Sequence, residues 1–345
     1  MKRRTFLAFV LPSLAMMIVF IAGPLLSVIW QSFHNTQRVY REVTIESCTP
    51  GFLRQICKTE VRSEPVIDDQ GRPITTTAFV GWESYRQLLE PDKLVAAMGD
   101  GWNGLSRVLE LDFYKALRFT LTFTLLTLPF VVGLGLLIAL MVDNVARSLR
   151  GPIIFVSLLP YIITPVIGAL SIRWLFIGDG ILTAAISELA GYKISMFAQG
   201  WTIELLMLFY RVWHVAPFAF VIFYAGLQTV DRDTLESAVV DGASRYERLR
   251  YVIIPHLAPL IIFVSLIHLM DAYRVFEEVI GFSSQAHRIS LQWLTFHLLS
   301  PDESGNRAIS RASASAMLTI VGVAFILTPL LMRTWRDHRR ARSGQ

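Results

Sequence analysis

Apolar residues fall into six long runs, at about 6–30, 114–142, 152–177, 201–227, 257–276 and 312–335, separated by polar, charge-bearing segments. Each run can cross roughly 30 Å of hydrocarbon, which takes about 20 helical residues. The stretch at 134–139, Leu-Gly-Leu-Leu-Ile-Ala, does not alternate apolar and polar positions as a barrel strand would. Backbone groups in lipid must bond within their own segment, so the runs predict helices. The pattern predicts an all-α integral membrane protein with six transmembrane helices. A large loop, 34–113, follows the first helix (1–33), and the remaining five helices form a core over 114–345.

Composition agrees: 53% of residues are apolar, 17% are charged and the mean hydropathy is +0.49, which excludes an ordinary soluble domain. The net charge of +5 matters through its placement. Arg147 and Arg150, then Arg232, Arg245, Arg248 and Arg250, lie in alternate connections, and Arg333, Arg336, Arg339, Arg340 and Arg342 lie in the tail. The connection 178–200 holds only Lys193. The positive-inside rule then puts both termini in the cytoplasm and 34–113 outside. Lys2, Arg3 and Arg4 before the first run suit a signal peptide, but the run is too long and no A-x-A site follows, so an uncleaved anchor is expected. Because the arginines sit beside apolar spans, the basic balance does not point to nucleic acid.

The loop 31–113 reads as two parts. Up to about residue 77 it is polar and rich in turn residues, whereas 79–90 is amphipathic, with Trp82, Tyr85 and Leu88 on its apolar side. Cys48 and Cys57 are a candidate disulfide on the oxidising side of a bacterial membrane; two free thiols are the alternative. No histidine lies close enough to suggest a metal pair, and no metal site is expected. Pro129, Pro160, Pro165 and Pro217 interrupt the apolar runs, and broken membrane helices often line a transport route.

The connection 229–256 is the most informative segment. Asp233 and Glu236 have the D-x-x-E spacing of a helix start, and that helix would run to Val240. Gly242 permits a positive φ and a sharp turn. Ala238 and Ala243 are small enough for a partner to approach closely. A second, basic helix with Arg245, Arg248 and Arg250 would end before Pro255. A short helix–turn–helix on the cytoplasmic surface results.

The stretch Glu236-Ser237-Ala238-Val239-Val240-Asp241-Gly242-Ala243, with Pro255 beyond it, closely resembles the E-A-A-x-x-D-G-A loop of ABC importer permeases. Ser237 replaces the first alanine, a small-for-small change. Leu11-Pro12, Pro24-Leu25-Leu26 and Ser32-Phe33 resemble the first helix of the maltose- and glycerol-phosphate-type permease half, and Phe79-Val80-Gly81-Trp82-Glu83-Ser84-Tyr85 is similar to the F-V-G-L-x-N-Y stretch before its core. Phe276-Glu277 stands where F-D is common, and the G-G-P that follows it there is absent. The resemblance implies a carbohydrate permease in a bacterial inner membrane. Implied partners are two cytoplasmic ATPase subunits, a second permease subunit forming a heterodimer, and a periplasmic solute-binding protein. Glu236, Ser237, Ala238, Asp241, Gly242, Ala243 and Pro255 would dock the ATPase. ATP and Mg²⁺ would be held there, since this chain has no G-x-x-x-x-G-K-[ST] loop. No nucleophile and base are paired, so no catalytic residue and no cofactor are expected on this chain.

Charges inside a bilayer are costly and often functional. Glu204, Arg211 and His214 lie in the fourth run, and His268, Asp271 and Arg274 end the fifth. In the maltose-type permease the stretches equivalent to 213–218 and to the end of the fifth run face the sugar. His214, Phe218, His268 and Asp271 are therefore the substrate-path candidates. In the structural alternative, Glu204 simply reaches water at a helix end and Asp271 is neutralised by Arg274. Two rival functions remain: import of a polyamine or other organic solute, and an ion-coupled carrier using Glu204 and Asp271.

Overall fold

In lipid, helix length follows apolar length, and the computed structural model bears this out over residues 3–50, 55–99, 102–178, 180–302 and 306–343, which are those it describes. The chain divides into two units, 1–95 with 295–318 and 96–294 with 319–345.

In the first unit, α1 (Arg3–Met17) and α2 (Gly23–Ser32) are joined without a break by a π turn, Ile18–Ala22. The Gly23 N–H bonds to the carbonyl of Ile18, five residues back. Pro24 explains the wide turn: it has no N–H to give and its ring crowds the preceding turn. The loop read as turn-rich forms strands instead: β1 (His34–Arg38), β2 (Tyr40–Pro50), β3 (Gln55–Pro65) and β4 (Thr75–Phe79). β1 pairs antiparallel with β4, and β2 with β3, in two separate two-stranded sheets. The second register sets Cys48 directly opposite Cys57; their side chains lie outside the described residues. α3 (Glu83–Leu89) is the predicted amphipathic piece, with Leu88 buried and Trp82 exposed just before it. Tyr85 donates to Ser32 Oγ at 2.9 Å, and Ser310 to the His34 carbonyl at 2.7 Å. α4 (Pro91–Met98) and α5 (Trp102–Val108) follow in the chain.

The second unit is built on α6 (Asp112–Asp143), α7 (Arg147–Ile162), α8 (Pro165–Phe176), α9 (Ile181–Ala190) and α10 (Gly200–Leu227). Next come α11 (Arg232–Val240), α12 (Arg245–Arg248) and α13 (Ile254–Tyr273). The chain closes with α14 (Glu277–Gly281), α15 (Leu291–Leu299) and α16 (Ile309–Ser343). α6 and α10 meet almost backbone to backbone: a Cβ added at Gly135 would lie 2.6 Å from Ala219 Cβ and 2.9 Å from Phe220 N. Small residues at such crossings are the usual means of helix association in lipid. One buried cluster includes Phe119, Phe123, Met207, Tyr210 and Phe282, and another includes Val131, Val215, Phe220, Phe223 and Val264. Large apolar side chains such as Phe130, Phe155, Phe209 and Val321 are exposed, as side chains facing lipid should be.

Among the described residues, five helices are long and apolar enough to cross a membrane, and a sharply bent pair passes the same test only when its two helices are taken together. That pair corrects the third run, expected as one helix over 152–177. It is α7 and α8, bent by 92°. Ile163 and Thr164 between them have extended backbone (ψ 133° and 137°). The residue before a proline is pushed out of the helical region, and Pro165 then opens α8 at a position that needs no N–H. Pro129, Pro160 and Pro217 remain inside their helices.

Candidate functional site

Two places gather the residues singled out by sequence. The first is the connection after α10. Its opening cap is Asp231 rather than Asp233: the Asp231 carboxylate accepts from Asp233 N at 3.1 Å and from the Thr234 hydroxyl at 3.0 Å. α10 ends in turn bonds at Thr229 and Val230, and Asp231, with extended backbone, takes the capping role.

α11 closes with paired bonds, Ala243 N–H to Ala238 C=O (2.9 Å) and Gly242 N–H to Val239 C=O (3.0 Å). That is a Schellman closure, and it requires the left-handed φ of +81° found at Gly242. The Ser244 side chain then accepts from Glu247 N, while the Glu247 carboxylate accepts from Ser244 N at 2.7 Å. This capping box starts the second helix at once. The segment is exposed, yet both caps and the turn between its helices are closed by local bonds.

Glu236, Ser237 and Asp241 line one shallow surface hollow with Asp233 and Val240. Val240 is 86% exposed and Tyr246 65%. Ala238 and Ala243 are joined by the closure bond and are not among the residues lining that hollow. The second helix does not end before Pro255, as expected from sequence. It passes through a π turn, Leu249–Ile253, directly into α13, whose first turn holds Pro255. The Ile254 N–H reaches back five residues to Leu249, the same solution used before Pro24.

The second place is a cleft of about 620 Å³ at the α7–α8 break. All four substrate-path candidates line it: His214, Phe218, His268 and Asp271. α10 bonds to a carbonyl on each side of the Thr164 hinge. His214 Nε2 lies 2.9 Å from the Ile163 oxygen, and the Tyr210 hydroxyl donates to the Pro165 oxygen at 2.8 Å. His268 Nε2 lies 2.9 Å from Thr127 Oγ1. Tyr161 stacks on Phe218 with ring centres 5.8 Å apart.

In the cleft wall, Arg211 bonds to Glu278 at 2.7 Å and, through its other terminal nitrogen, to Asp271. Asp271 thus pairs with Arg211 and not with Arg274. Glu204, read as a group reaching water, is largely buried, held by Arg288 at 2.6 Å and by the Thr122 hydroxyl at 3.1 Å. Arg211 was visible in the sequence as an intramembrane charge. Tyr161 and Glu278 were missed, and Glu277 was marked only as half of the Phe276-Glu277 pair and not as a cleft residue. Among the described residues, no group of His, Cys, Asp and Glu is arranged to hold a metal.

The family of inner membrane components of binding-protein-dependent transport systems matches residues 111–340. This chain belongs to that family. Like its relatives, this permease is a multi-pass inner-membrane transport component and not an enzyme. It is 26% identical to a probable ABC transporter permease of Sinorhizobium fredii, over 65% of this chain and 72% of that protein. It is 27% identical to an arabinooligosaccharide transport permease of Halalkalibacterium halodurans, over 51% of this chain and 56% of that one, so the match spans little more than half of that relative. Its fold matches a bacterial ABC transporter involved in import of the acidic polysaccharide alginate, with a TM-score of 0.68 and 18% identity over 97% of this permease and 96% of that chain. The family match covers both places just described.

Proposed function

We propose that this chain is the permease subunit of an ATP-driven, binding-protein-dependent importer for a sugar or sugar derivative. Its N- and C-termini face the cytoplasm, where two ATPase subunits dock on the segment around Glu236 and Gly242. A second permease subunit, different from this one, completes the route, and a periplasmic binding protein delivers the substrate. ATP and Mg²⁺ are held by the ATPase subunits. The observation that carries the reading is the exposed, locally bonded unit of α11, the Gly242 closure and the Ser244 capping box. Nucleotide-driven movement of an ATPase can pass through it without local melting. Its hollow presents Glu236, Asp233 and Asp241 to a basic partner surface.

The sugar assignment is supported by relatives named for arabinooligosaccharide and alginate import. It also fits the cleft, where imidazole, carboxylate and aromatic groups lie together. An ion-coupled carrier is less well supported, because Glu204 and Asp271, its natural ion sites, are each bonded to an arginine. The test is uptake in cells carrying Glu236→Arg or Gly242→Val. Both variants should reach the membrane yet lose vanadate-sensitive uptake. Wild-type uptake by both would defeat the assignment.

A further inference from the structure

Resting on the reading of the α7–α8 cleft as part of a sugar route, we propose that this chain's half of the route selects an uncharged, hydroxyl-rich saccharide and rejects an anionic one, with Glu277 and the Arg211-bound carboxylates setting the preference.

Charge is the first argument. Arg211 is the single cationic side chain among the described residues that line the cleft; Arg274 lies outside the lining. Both terminal nitrogens of Arg211 are already bonded, to Glu278 and to Asp271. Asp271 lines the cleft, and Glu278, bonded to Arg211, lies outside the lining. Two carboxylates therefore hold the one guanidinium, and a third, Glu277, lines the same cleft. An entering carboxylate or phosphate would have to displace Glu278 or Asp271 from Arg211, and would meet like charge from Asp271 and Glu277.

Hydrogen-bond polarity is the second. The Ile163 oxygen bound by His214 Nε2 can only accept, so that nitrogen carries the proton. The Thr127 hydroxyl gives its proton to the Phe123 carbonyl at 2.8 Å, so His268 Nε2 must also donate. In a neutral imidazole each ring then leaves Nδ1 as a bare acceptor. Both Nδ1 atoms are buried without a protein partner, as is Glu278 Oε2; Arg211 Nε is the one donor there in the same state. Acceptors thus outnumber donors. These atoms are closed to the cleft as it stands, so a movement that opened it toward them would favour sugar hydroxyls, which bring donors, over a carboxylate or phosphate, which brings more acceptors.

The third is shape. The Tyr161–Phe218 stack gives the cleft an apolar wall on which the C–H face of a sugar ring can lie. A polyamine would find, among the described residues, only Glu277 without an arginine beside it.

The test uses the assembled transporter in lipid nanodiscs with its binding protein omitted, and measures equilibrium binding of three probes. These are an arabinooligosaccharide, an alginate oligosaccharide of equal length, and spermidine. The arabinooligosaccharide should bind at least about tenfold more tightly than either of the others. In Glu277→Lys the ratio of alginate to arabinooligosaccharide affinity should rise about tenfold. Glu277→Gln, a gentler change should the first misfold, should raise it about threefold. Equal or tighter binding of the alginate oligosaccharide or of spermidine, an unmoved ratio in both variants, or no binding of the neutral probe would overturn the proposal. Failure of the importer assignment shows separately, as uptake that vanadate does not inhibit.

Discussion

Arg211 Nη1 lies 2.7 Å from Glu278 Oε1, 67 residues further along the chain, and both side chains are buried. A guanidinium sealed inside a membrane protein is tolerable only while its partners stay. Removing Glu278 would leave the buried guanidinium only the largely exposed Asp271 as partner, and breaking a buried pair costs about 3–5 kcal/mol. Glu278→Ala should therefore lower the thermal unfolding midpoint of the purified protein sharply. In an Arg211→Met background the same change should cost much less. Equal losses in both backgrounds would show that the two side chains are not coupled.

Gly135 makes a different demand. A Cβ there would stand 2.9 Å from the backbone nitrogen of Phe220, and backbone cannot swing aside as a side-chain tip can. Gly135→Val should push α6 from α10 and destabilise by about 1–3 kcal/mol or more, read as loss of a monodisperse peak on size exclusion. Gly133, two residues earlier, has open space around its Cβ position. Gly133→Val should be far milder, which makes it the internal control.

These contacts mark the limit of what the chain discloses when read in one dimension. Helices were legible because apolar length alone decides them in lipid. His214, His268 and Asp271 were legible because charge and imidazole stand out in such runs, and the structure gathers them in one cleft. Their partners were not. Asp271 has Arg274 three residues away, yet it bonds to Arg211, 60 residues distant, because the end of α13 packs on α10. Asp231 lost to Asp233 in the sequence because the D-x-x-E spacing fits the latter, while the backbone decides which residue is extended. β2 and β3 were hidden for a similar reason. Tyr40–Pro50 contains Val43, Thr44 and Ile45 among charged neighbours, so no clean alternation marks it. Only the pairing with Gln55–Pro65 makes it a strand.

That pairing gives the cysteines a testable state. Residues directly opposite on antiparallel strands have Cα atoms about 4.5–5.5 Å apart, inside the range a disulfide needs. With Cys48 opposite Cys57, protein purified without reductant should resist alkylation at both positions. After reduction it should take up two labels. Alkylation of both thiols before reduction would refute the bridge.

Pro255 offers the sharpest test of how movement passes from the cytoplasmic segment to the membrane. It was singled out as part of an ATPase-docking motif, but it sits in the first turn of α13, behind the wide turn Leu249–Ile253. Proline cannot give an N–H and crowds the carbonyl four residues back, and a five-residue bond circumvents both problems. In Pro255→Ala those constraints vanish, and the turn is free to tighten to ordinary α geometry. Adding back the one residue's worth of winding that the wide turn omits would rotate everything before it by about 100° relative to α13. The exposed unit of α11 and α12 would then face the wrong way although each of its own bonds survives. Pro255→Ala should therefore fold and insert with unchanged or slightly higher thermal stability, and keep basal ATPase activity in the assembled transporter. It should lose most of its uptake per ATP hydrolysed. A variant that keeps the wild-type ratio of uptake to hydrolysis would mean that the wide turn plays no part in coupling.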